Sequence, residues 1–231
     1  FGARLFSAAV TLLYPARCAS CDAPCEEDRA FCPLCAFGLE PVSSACALCA
    51  LPLPSGTRCL ACLRHPPIWT RADAPFQFGG AIAQAVRRFK WGRLPELGRP
   101  LGALLPPERL RDCDVVVPVP LHPRRLRSRE FNQAALLALG ARAAHHLPVP
   151  IDVRALARVK DTPPQSALGF ADRRKNVRDA FLARPERVRH RRVLLVDDVL
   201  TTGATAEACA RALYHAGADE VAVLTVARAV P

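Results

Sequence analysis

The sequence contains no methionine and few aromatic side chains. Tryptophan and tyrosine occur twice each, and aromatic residues make up only 6% of the 231 positions. The opening apolar stretch, residues 1–13, is interrupted by Arg4 and is too short to cross a membrane. Because the chain starts at Phe1 without a methionine, we expect its natural start to be missing. We also expect no membrane insertion, no signal peptide and a cytoplasmic location.

Negative charge is scarce as well. Lysine and arginine number 32 against 21 acidic residues, which gives a formal net charge of +11. This balance favours polyanionic ligands or nucleic acid, although an arginine-rich, alanine-rich composition also follows from genomic base bias. Binding of single strands requires stacking aromatics, and only Phe89 and Trp91 suit that role. We expect both of them to lie in the core instead.

Cysteine is concentrated near the start of the chain. Nine of the eleven cysteines precede residue 63, and eight of these form Cys-x-x-Cys pairs. The pairs are Cys18/Cys21, Cys32/Cys35, Cys46/Cys49 and Cys59/Cys62. Two pairs supply the four thiolates of a tetrahedral site, so the segment predicts a double zinc ribbon with one or two structural zinc ions. Few apolar residues accompany the cysteines, so metal binding should drive folding of this segment.

Several assignments of these cysteines remain open. Pairing in order, first with second and third with fourth, is the simplest, but interleaved pairing or a single occupied site fits the similar spacers. Cys25 is left over and can substitute for a neighbouring ligand. A disulfide scaffold is the alternative to zinc, and we disfavour it because a chain without export features keeps its thiols reduced.

An apolar run that ends in two acids carries the strongest functional signal. Residues 193–196 are typical of a buried parallel strand, and Asp197 and Asp198 follow where ligands of open α/β sheets bind. Ionised carboxylates accept hydrogen bonds from the 2′- and 3′-hydroxyls of a ribose. The hydroxyl-rich turn at residues 201–205 leads into a helix, whose first N–H groups favour a phosphate. The stretch therefore predicts a sugar-phosphate site.

A basic segment after another strand is the candidate diphosphate site. Residues 114–120 are typical of the first central strand of a parallel sheet, and a basic loop with His122, Arg124 and Arg125 follows. Loops that leave adjacent parallel strands face the same crevice, so the arginines can lie across from the acids and bind a diphosphate. A solvated loop or an RNA-binding patch is the alternative. His122 is equally suited to orienting the loop and to contacting ligand.

The rest of the body alternates helices and strands. Residues 81–91 predict an amphipathic helix, and residues 220–228 predict a last strand next to the motif strand. The basic segment 154–181 is typical of a mobile lid over an anionic ligand or, alternatively, of an ordinary surface excursion. The lid residues are Lys160, Gln165, Arg173 and Asn176. Alternating elements from about residue 75 onward predict an α/β domain with a central parallel sheet.

These motifs together resemble the ComF family. Besides the cysteine pairs, the resemblance rests on residues 118–125, residues 129–133, the spaced set between residues 162 and 176, and the stretch 193–205, which resembles the PRPP signature of type I phosphoribosyltransferases. The resemblance implies an α/β fold, a type I phosphoribosyltransferase-like domain with a central parallel sheet behind a small Cys-rich double zinc ribbon. The expected division is a lead-in helix at 1–16, the ribbon at 17–65 and the phosphoribosyltransferase-like domain at 66–231.

The resemblance also implies a ligand, PRPP or a related sugar phosphate bound with Mg²⁺. The implied PRPP-binding residues are Pro120, His122, Arg124, Arg125, Val196, Asp197, Asp198, Thr201, Thr202, Gly203, Ala204 and Thr205. Asp197, Asp198, Arg124 and Arg125 are the candidate catalytic residues. Members of the family are associated with natural transformation, so single-stranded DNA and proteins of the DNA-uptake machinery are the expected partners.

Three functions are compatible with these residues. A phosphoribosyltransferase would displace diphosphate from C1 of PRPP with an acceptor that the sequence does not identify. A binding module would sense PRPP or hold single-stranded DNA without turnover. A scaffold would use the ribbon to bind a partner protein. Release of diphosphate separates the first function from the second.

Overall fold

The structure is a computed structural model that describes residues 16–26, 29–161 and 179–230. All but the last residue of the predicted lead-in helix lies outside the described residues, as do the lid residues Gln165, Arg173 and Asn176. Within the described ranges, no helix is both long enough and apolar enough to cross a membrane.

Short helices and strands alternate along the described chain. The helices are α1 (Pro33–Phe37), α2 (Leu60–Arg64), α3 (Gly80–Trp91), α4 (Gly98–Gly102), α5 (Pro107–Arg111), α6 (Pro123–Arg129), α7 (Gln133–Ala144), α8 (Pro185–Val188) and α9 (Ala204–His215), with a 3-10 turn at Pro95–Leu97. The strands are β1 (Arg71–Asp73), β2 (Phe76–Gln77), β3 (Val115–Pro118), β4 (Leu156–Arg158), β5 (Phe181–Ala183), β6 (Arg192–Leu200) and β7 (Glu220–Arg228).

A parallel sheet forms the centre of the body. Its strand order is β1-β7-β6-β3, and β2 also pairs with β7, every pairing being parallel. Val196 of β6 lies between Pro118 of β3 and Leu224 of β7. The strands β4 and β5 form a separate antiparallel pair. The predicted fold class, an α/β domain with a central parallel sheet behind a Cys-rich ribbon, is confirmed.

The strand β3 differs from the prediction in its position. It pairs with β6 as expected, but it lies at the end of the strand order and is not central. On its outer side, Ile151 is the only one of the described residues that forms a bridge, to Val116. Pro148 and Pro150 both precede Ile151 and have no N–H to donate, which limits further pairing.

Apolar side chains pack on both faces of the sheet. On β6, Val193 and Leu195 face the core beneath α9, whereas Leu194 and Val196 face the core beneath α3 and α7. Strands buried on both faces have continuous apolar sequences, which explains the unbroken run before the acid pair.

The helix α3 forms as its periodicity predicts, with one exception in its burial. Phe89 is fully buried in the core beneath the sheet, as expected. Trp91 is 64% exposed, so the expectation that it is a core residue is wrong. Trp91 is the last residue of α3, and its side chain reaches the rim of the carboxyl edge of the sheet.

The segment predicted as a basic loop is instead the helix α6. Pro123 occupies the first helical position, where its missing N–H and fixed φ favour helix initiation. The Nδ1 atom of His122 accepts a hydrogen bond from the backbone N–H of Arg124 at 3.4 Å, so His122 caps the helix. These two residues explain why the chain after β3 is helical.

The cysteine-rich region consists of two similar units. Each unit begins with a tight turn that is closed by an isolated antiparallel bridge, Arg17 to Pro24 in the first unit and Ala45 to Pro52 in the second. Each then ends in a short helix, α1 or α2, that begins directly after a cysteine. We call these units the first and second ribbon.

Candidate functional site

A cavity of about 370 Å³ lies at the carboxyl edge of the sheet. Its walls are formed by the ends of β6 and β7, by the residues after β3, and by side chains of α3, α6 and α7. Strand ends and the amino-terminal ends of the following helices meet at this edge, which is where open parallel sheets bind their ligands.

The two carboxylates of β6 line the cavity. Successive side chains of a strand point to opposite faces, so Asp197 lies on the side of α9 and Asp198 on the side of α3. Asp198 is only 6% exposed, and its Oδ1 lies 2.8 Å from Nζ of Lys90. The Oδ1 atom of Asp197 accepts a hydrogen bond from the backbone N–H of Asp198 at 2.9 Å.

The surroundings of Asp197 raise the pKa of its carboxyl group. Its burial, followed by the negative charge of Asp198, raises the pKa of Asp197 from 3.8 to about 7. Lys90, the N–H of Asp198 and Arg129 act in the opposite direction and only partly offset the shift. A ligand that donates hydrogen bonds or carries a cation to this carboxylate would favour its ionised form.

Positive charge surrounds the acid pair. The basic side chains that line the cavity are Arg87, Lys90, Arg125, Arg129 and Arg158. The guanidinium of Arg129 donates to Oε1 of Gln133 at 3.2 Å and lies 4.5 Å from the ring centroid of Trp91. Burial lowers the pKa of Arg129 and of Arg158, but arginine remains protonated at neutral pH. The cavity therefore combines fixed cations with two carboxylates.

A buried amide adds a hydrogen-bond donor to the cavity. Gln133 begins α7 and is buried, and its Nε2 has no hydrogen-bond partner among the described residues. Leaving a buried donor unpaired costs about 1–3 kcal/mol. A ligand acceptor in the cavity would remove that cost.

The turn after β6, residues 201–205, closes one end of the cavity and is called the phosphate turn below. Gly203 has φ +79°, a left-handed conformation that glycine adopts without strain. The helix α9 begins at Ala204, whose N–H donates to Oγ1 of Thr202 at 3.3 Å. The first N–H groups of a helix lack partners within it, and Thr201, Gly203 and Thr205 line the cavity. The turn is therefore suited to an anion.

The eight paired cysteines form two separate clusters. Cys18, Cys21, Cys32 and Cys35 make one cluster, and Cys46, Cys49, Cys59 and Cys62 make the other. The pairing in sequence order is therefore the observed one, and the interleaved alternative is excluded. Cys25 lies outside both clusters, where its thiol is directed to the carbonyl of Arg29.

The geometry of both clusters fits tetrahedral zinc. Within each cluster the four sulfurs lie within 4.8 Å of one another. The Sγ atoms of Cys21 and Cys32 are 3.7 Å apart, as are those of Cys49 and Cys59. A zinc–sulfur bond of about 2.3 Å places tetrahedral sulfurs about 3.8 Å apart. Four thiolates complete the coordination of zinc, so both sites are structural rather than catalytic.

The cysteine-rich region and most of the chain are similar to known proteins. A family model described as a double zinc ribbon domain matches residues 9–63. The DNA utilization protein YhgH of Salmonella typhimurium is 32% identical over 232 residues, covering 94% of this chain and 99% of the relative. Competence protein F of Haemophilus influenzae is 32% identical over 181 residues, covering 74% of this chain and 78% of the relative.

The chain belongs to the ComF family. Among solved structures, the glutamine PRPP amidotransferase of B. subtilis, complexed with ADP and GMP, is 22% identical with a TM-score of 0.38. That match covers 59% of this ComF-family chain and only 30% of the amidotransferase. An allosteric regulatory enzyme of purine biosynthesis is 24% identical with a TM-score of 0.39.

The structure brings together only some of the residues predicted for the site of this ComF-family chain. Those that line the cavity are Pro120, Arg125, Asp197, Asp198, Thr201, Gly203 and Thr205. Val196 is buried in the core below the cavity, Ala204 is buried at the start of α9, and Thr202 caps Ala204. None of these three is in the described lining.

The polar residues His122, Arg124 and Lys160 also lie away from the lining. The side chain of Arg124 is 74% exposed, and its Nη1 lies 3.1 Å from Oδ2 of Asp161. His122 caps α6 and faces the same carboxylate at 3.4 Å. Lys160 is exposed. The structure therefore separates Arg124 from Arg125, which the sequence treats as a pair.

Several residues that line the cavity are absent from the predicted sugar-phosphate site, although Trp91 suits base stacking and Arg129 and Gln133 begin and end the ComF-like stretch 129–133. Lys90 and Trp91 come from the end of α3, Arg129 and Gln133 flank the turn between α6 and α7, and Arg158 ends β4. One signal was available for Arg129, because it lies four residues after Arg125 and helical residues four apart share a face. Lys90 and Arg158 are distant from the motif in sequence, and no local pattern marks them.

Proposed function

We propose that this chain binds PRPP with Mg²⁺ and acts as a phosphoribosyltransferase in the use or uptake of DNA. The observation that carries the proposal is a single cavity that combines an acid pair, a phosphate turn and fixed cations. The relatives named for competence and for DNA utilization support the biological setting.

The chemistry of PRPP matches the cavity in three parts. Asp197 and Asp198 would accept hydrogen bonds from the ribose hydroxyls. The amides and hydroxyls of the phosphate turn would bind the 5-phosphate. Arg125 and Arg129 would bind the diphosphate, for which the planar guanidinium provides bidentate contacts. The unpaired Nε2 of Gln133 is a further donor for an oxygen of the ligand.

The carboxylates also fit a magnesium ion that arrives with the ligand. Mg²⁺ in proteins is typically bound by one or two carboxylates together with phosphate oxygens of the substrate and water. Asp197 and Asp198 supply the carboxylates at the point where the ribose and the diphosphate would meet. When bound, Mg²⁺ would neutralise charge on the diphosphate.

Transfer would break the bond between C1 of the ribose and the diphosphate oxygen and form a bond from C1 to the acceptor. The diphosphate would leave with the bonding electron pair, and the acceptor would lose its proton. The protein would contribute chiefly by holding the reactants and by placing Arg125 and Arg129 where negative charge develops.

Calorimetry with PRPP and Mg²⁺ tests binding, and a diphosphate-release assay tests turnover. We expect PRPP to bind more tightly than ribose 5-phosphate or diphosphate alone, because each fragment satisfies only part of the cavity. Binding without diphosphate release, with and without single-stranded DNA, would favour a sensor over an enzyme. Absence of PRPP binding would refute the proposal.

The two neighbouring arginines of α6 make a matched test of where the diphosphate binds. We expect Arg125→Gln to weaken PRPP binding at least about tenfold, since hydrogen bonds to charged groups contribute about 1.5–3 kcal/mol. Arg124→Gln should change the affinity less than about threefold, because Arg124 lies outside the described lining of the cavity and its ion pair with Asp161 is exposed. Equal losses in calorimetry would show that the diphosphate lies outside the described cavity.

Binding of single-stranded DNA is a second candidate function. Trp91 is exposed at the cavity rim, Arg129 stacks on its ring, and Arg87 lines the same wall. An exposed aromatic ring flanked by arginines is suited to stacking a base and contacting its phosphate. The net charge of +11 favours the same ligand.

Trp91→Ala should therefore weaken binding of a single-stranded oligonucleotide about tenfold, because base stacking contributes about 1–3 kcal/mol per base. Phe37→Ala is the control, since Phe37 is 92% exposed on the first ribbon, outside the described lining of the cavity. Fluorescence anisotropy measures both affinities and their loss with salt. If the two variants behave alike, DNA does not bind at the cavity rim.

A further inference from the structure

Two side chains connect the second ribbon to the phosphate turn. The first is Trp69, which is buried and whose Nε1 donates to the carbonyl of Leu48 at 2.5 Å. The ring of Trp69 also packs on Gly203. A Cβ atom at Gly203 would lie 2.9 Å from Cη2 of Trp69, so only glycine fits this contact without movement. The conformation of the turn and the position of the Trp69 ring are therefore linked.

The second connection is Arg228 at the end of β7. Its side chain is buried, and its Nε donates to the carbonyl of Cys49 at 2.7 Å. Its Nη1 donates to the carbonyls of Leu200 at 2.8 Å and Thr201 at 2.6 Å, and also to that of Ala229. One guanidinium thus joins the metal-binding turn of the second ribbon to the start of the phosphate turn.

These contacts fix the direction of the amides in the phosphate turn. A trans peptide directs its C=O and the following N–H to opposite sides. Because Arg228 binds the carbonyl of Thr201, the N–H of Thr202 points away from Arg228 and cannot rotate freely. An anion site made of backbone N–H groups depends on such fixed directions.

The carbonyls that accept from Trp69 and Arg228 lie in the second ribbon, in the turn that carries two of its cysteines. Leu48 and Cys49 belong to the turn Cys46–Cys49, whose two thiols are half of the second cysteine cluster. This ribbon has a small core made of Cys46, Cys59 and Cys62, against which leucine side chains pack. Its backbone geometry therefore depends on the ligation of the cysteines.

We propose that Trp69 and Arg228 are positioning residues through which the second cysteine cluster, loaded with zinc, holds the phosphate turn in its anion-binding conformation. The assignment of an anion to the turn rests on the proposed function. The consequence is that ligand affinity depends on zinc in the second ribbon and much less on zinc in the first.

The first ribbon has different contacts and supplies the control. Nη1 of Arg88 on α3 donates to the carbonyls of Cys18 at 2.9 Å and Ala19 at 3.2 Å. Ser20 donates to Oε1 of Gln84 at 3.1 Å. These contacts attach the first ribbon to α3 rather than to the phosphate turn.

Hydrogen exchange of the full zinc-loaded chain without ligand tests whether Trp69 and Arg228 hold the phosphate turn. Arg228→Lys keeps the charge but replaces two separate donor nitrogens, Nε to Cys49 and Nη1 to Thr201, with one ammonium group. We expect amide exchange of residues 200–206 to accelerate at least about tenfold. Trp69→Phe removes the donor to Leu48 and also the outer part of the indole ring that packs on Gly203, so an acceleration is expected here too. Arg88→Lys should change exchange in this segment less than about twofold. Unchanged exchange in both Arg228→Lys and Trp69→Phe would overturn the proposal.

Removing one metal site at a time tests the dependence on zinc. Cys46→Ser should lose zinc from the second ribbon. In this variant we expect amide exchange of residues 200–206 to accelerate at least about tenfold and PRPP with Mg²⁺ to bind at least about tenfold more weakly. In Cys18→Ser, with zinc lost from the first ribbon, both should change less than about threefold. Equal effects of the two variants would overturn the proposal. If the unaltered chain does not bind PRPP, the proposed function fails, whereas the exchange data still decide whether the ribbon holds the turn.

Discussion

Replacing Asp197 with asparagine should weaken PRPP binding about a hundredfold and at the same time stabilise the free protein. The loss of affinity follows from removing the charged acceptor of a ribose hydroxyl, since a hydrogen bond to a charged group contributes about 1.5–3 kcal/mol. The gain in stability follows from the burial and the repulsion by Asp198 that raise the pKa of Asp197 to about 7. Relieving them should increase the free energy of unfolding at pH 8 by about 1–2 kcal/mol, a fraction of what the full pKa shift would give, because Asp197 is partly exposed to solvent.

The stability gain should depend on pH in a defined direction. Asp197 binds its proton at about pH 7 in the folded chain and near pH 3.8 when unfolded, so the folded state holds more protons between these values. Stability of the unaltered chain is therefore lost through this carboxylate as the pH rises from about 4 to 7. Asp197→Asn lacks this loss. Its gain in free energy of unfolding over the unaltered chain should therefore be full above pH 7 and absent near pH 4. Chemical denaturation at both pH values measures the difference.

Asp198→Asn is the matched control and should have the opposite effect on stability. Asp198 is buried and forms an ion pair with Lys90, whose side chain is only partly exposed. Removing one partner leaves the other charge without compensation, which typically costs about 3–5 kcal/mol when fully buried and less here. Both variants should lose PRPP affinity. If Asp197→Asn is destabilising, the ionised carboxylate of Asp197 is not unfavourable in the folded chain. If the variant still binds PRPP normally, Asp197 does not contact the ligand.

The strand, the acid pair and the phosphate turn could be predicted because they are contiguous in sequence. A buried parallel strand requires an unbroken apolar run, and the residues directly after it necessarily lie at the carboxyl edge of the sheet. The cysteine clusters were also predictable to the level of residues, since a Cys-x-x-Cys pair is a local unit. The parallel placement of β7 beside β6 follows from the helix α9 that connects the two strands.

The basic side of the cavity could not be predicted, because it depends on helix geometry and on distant elements. Arg124 and Arg125 are adjacent, and adjacent residues in a helix point about 100° apart, so α6 directs only one of them to the cavity. Arg125 and Arg129 share a face instead. Lys90 reaches Asp198 only through the packing of α3 on the sheet.

Removing zinc should strongly destabilise the cysteine-rich region. We expect two zinc ions per chain by atomic absorption, and a fall of roughly 10 °C or more in the midpoint of thermal unfolding after strong chelation. The second ribbon should unfold first. Its core consists of Cys46, Cys59 and Cys62 with partly buried leucines, so the metal replaces the missing apolar contacts.

The first ribbon should retain more structure after chelation, because five of its buried residues belong to a core of the body, whereas the described part of the second ribbon contributes only Ala50. Phe31 and Cys18 belong to the same apolar cluster as Phe89 of α3, and Arg88 bonds the ribbon backbone. Cys25→Ser is the matched control, since Cys25 lies outside both clusters and should leave two zinc ions bound. Cys46→Ser should leave one. A chain that carries no zinc and keeps its melting midpoint, with thiols found as disulfides by mass spectrometry, would instead require the disulfide scaffold that the sequence disfavours.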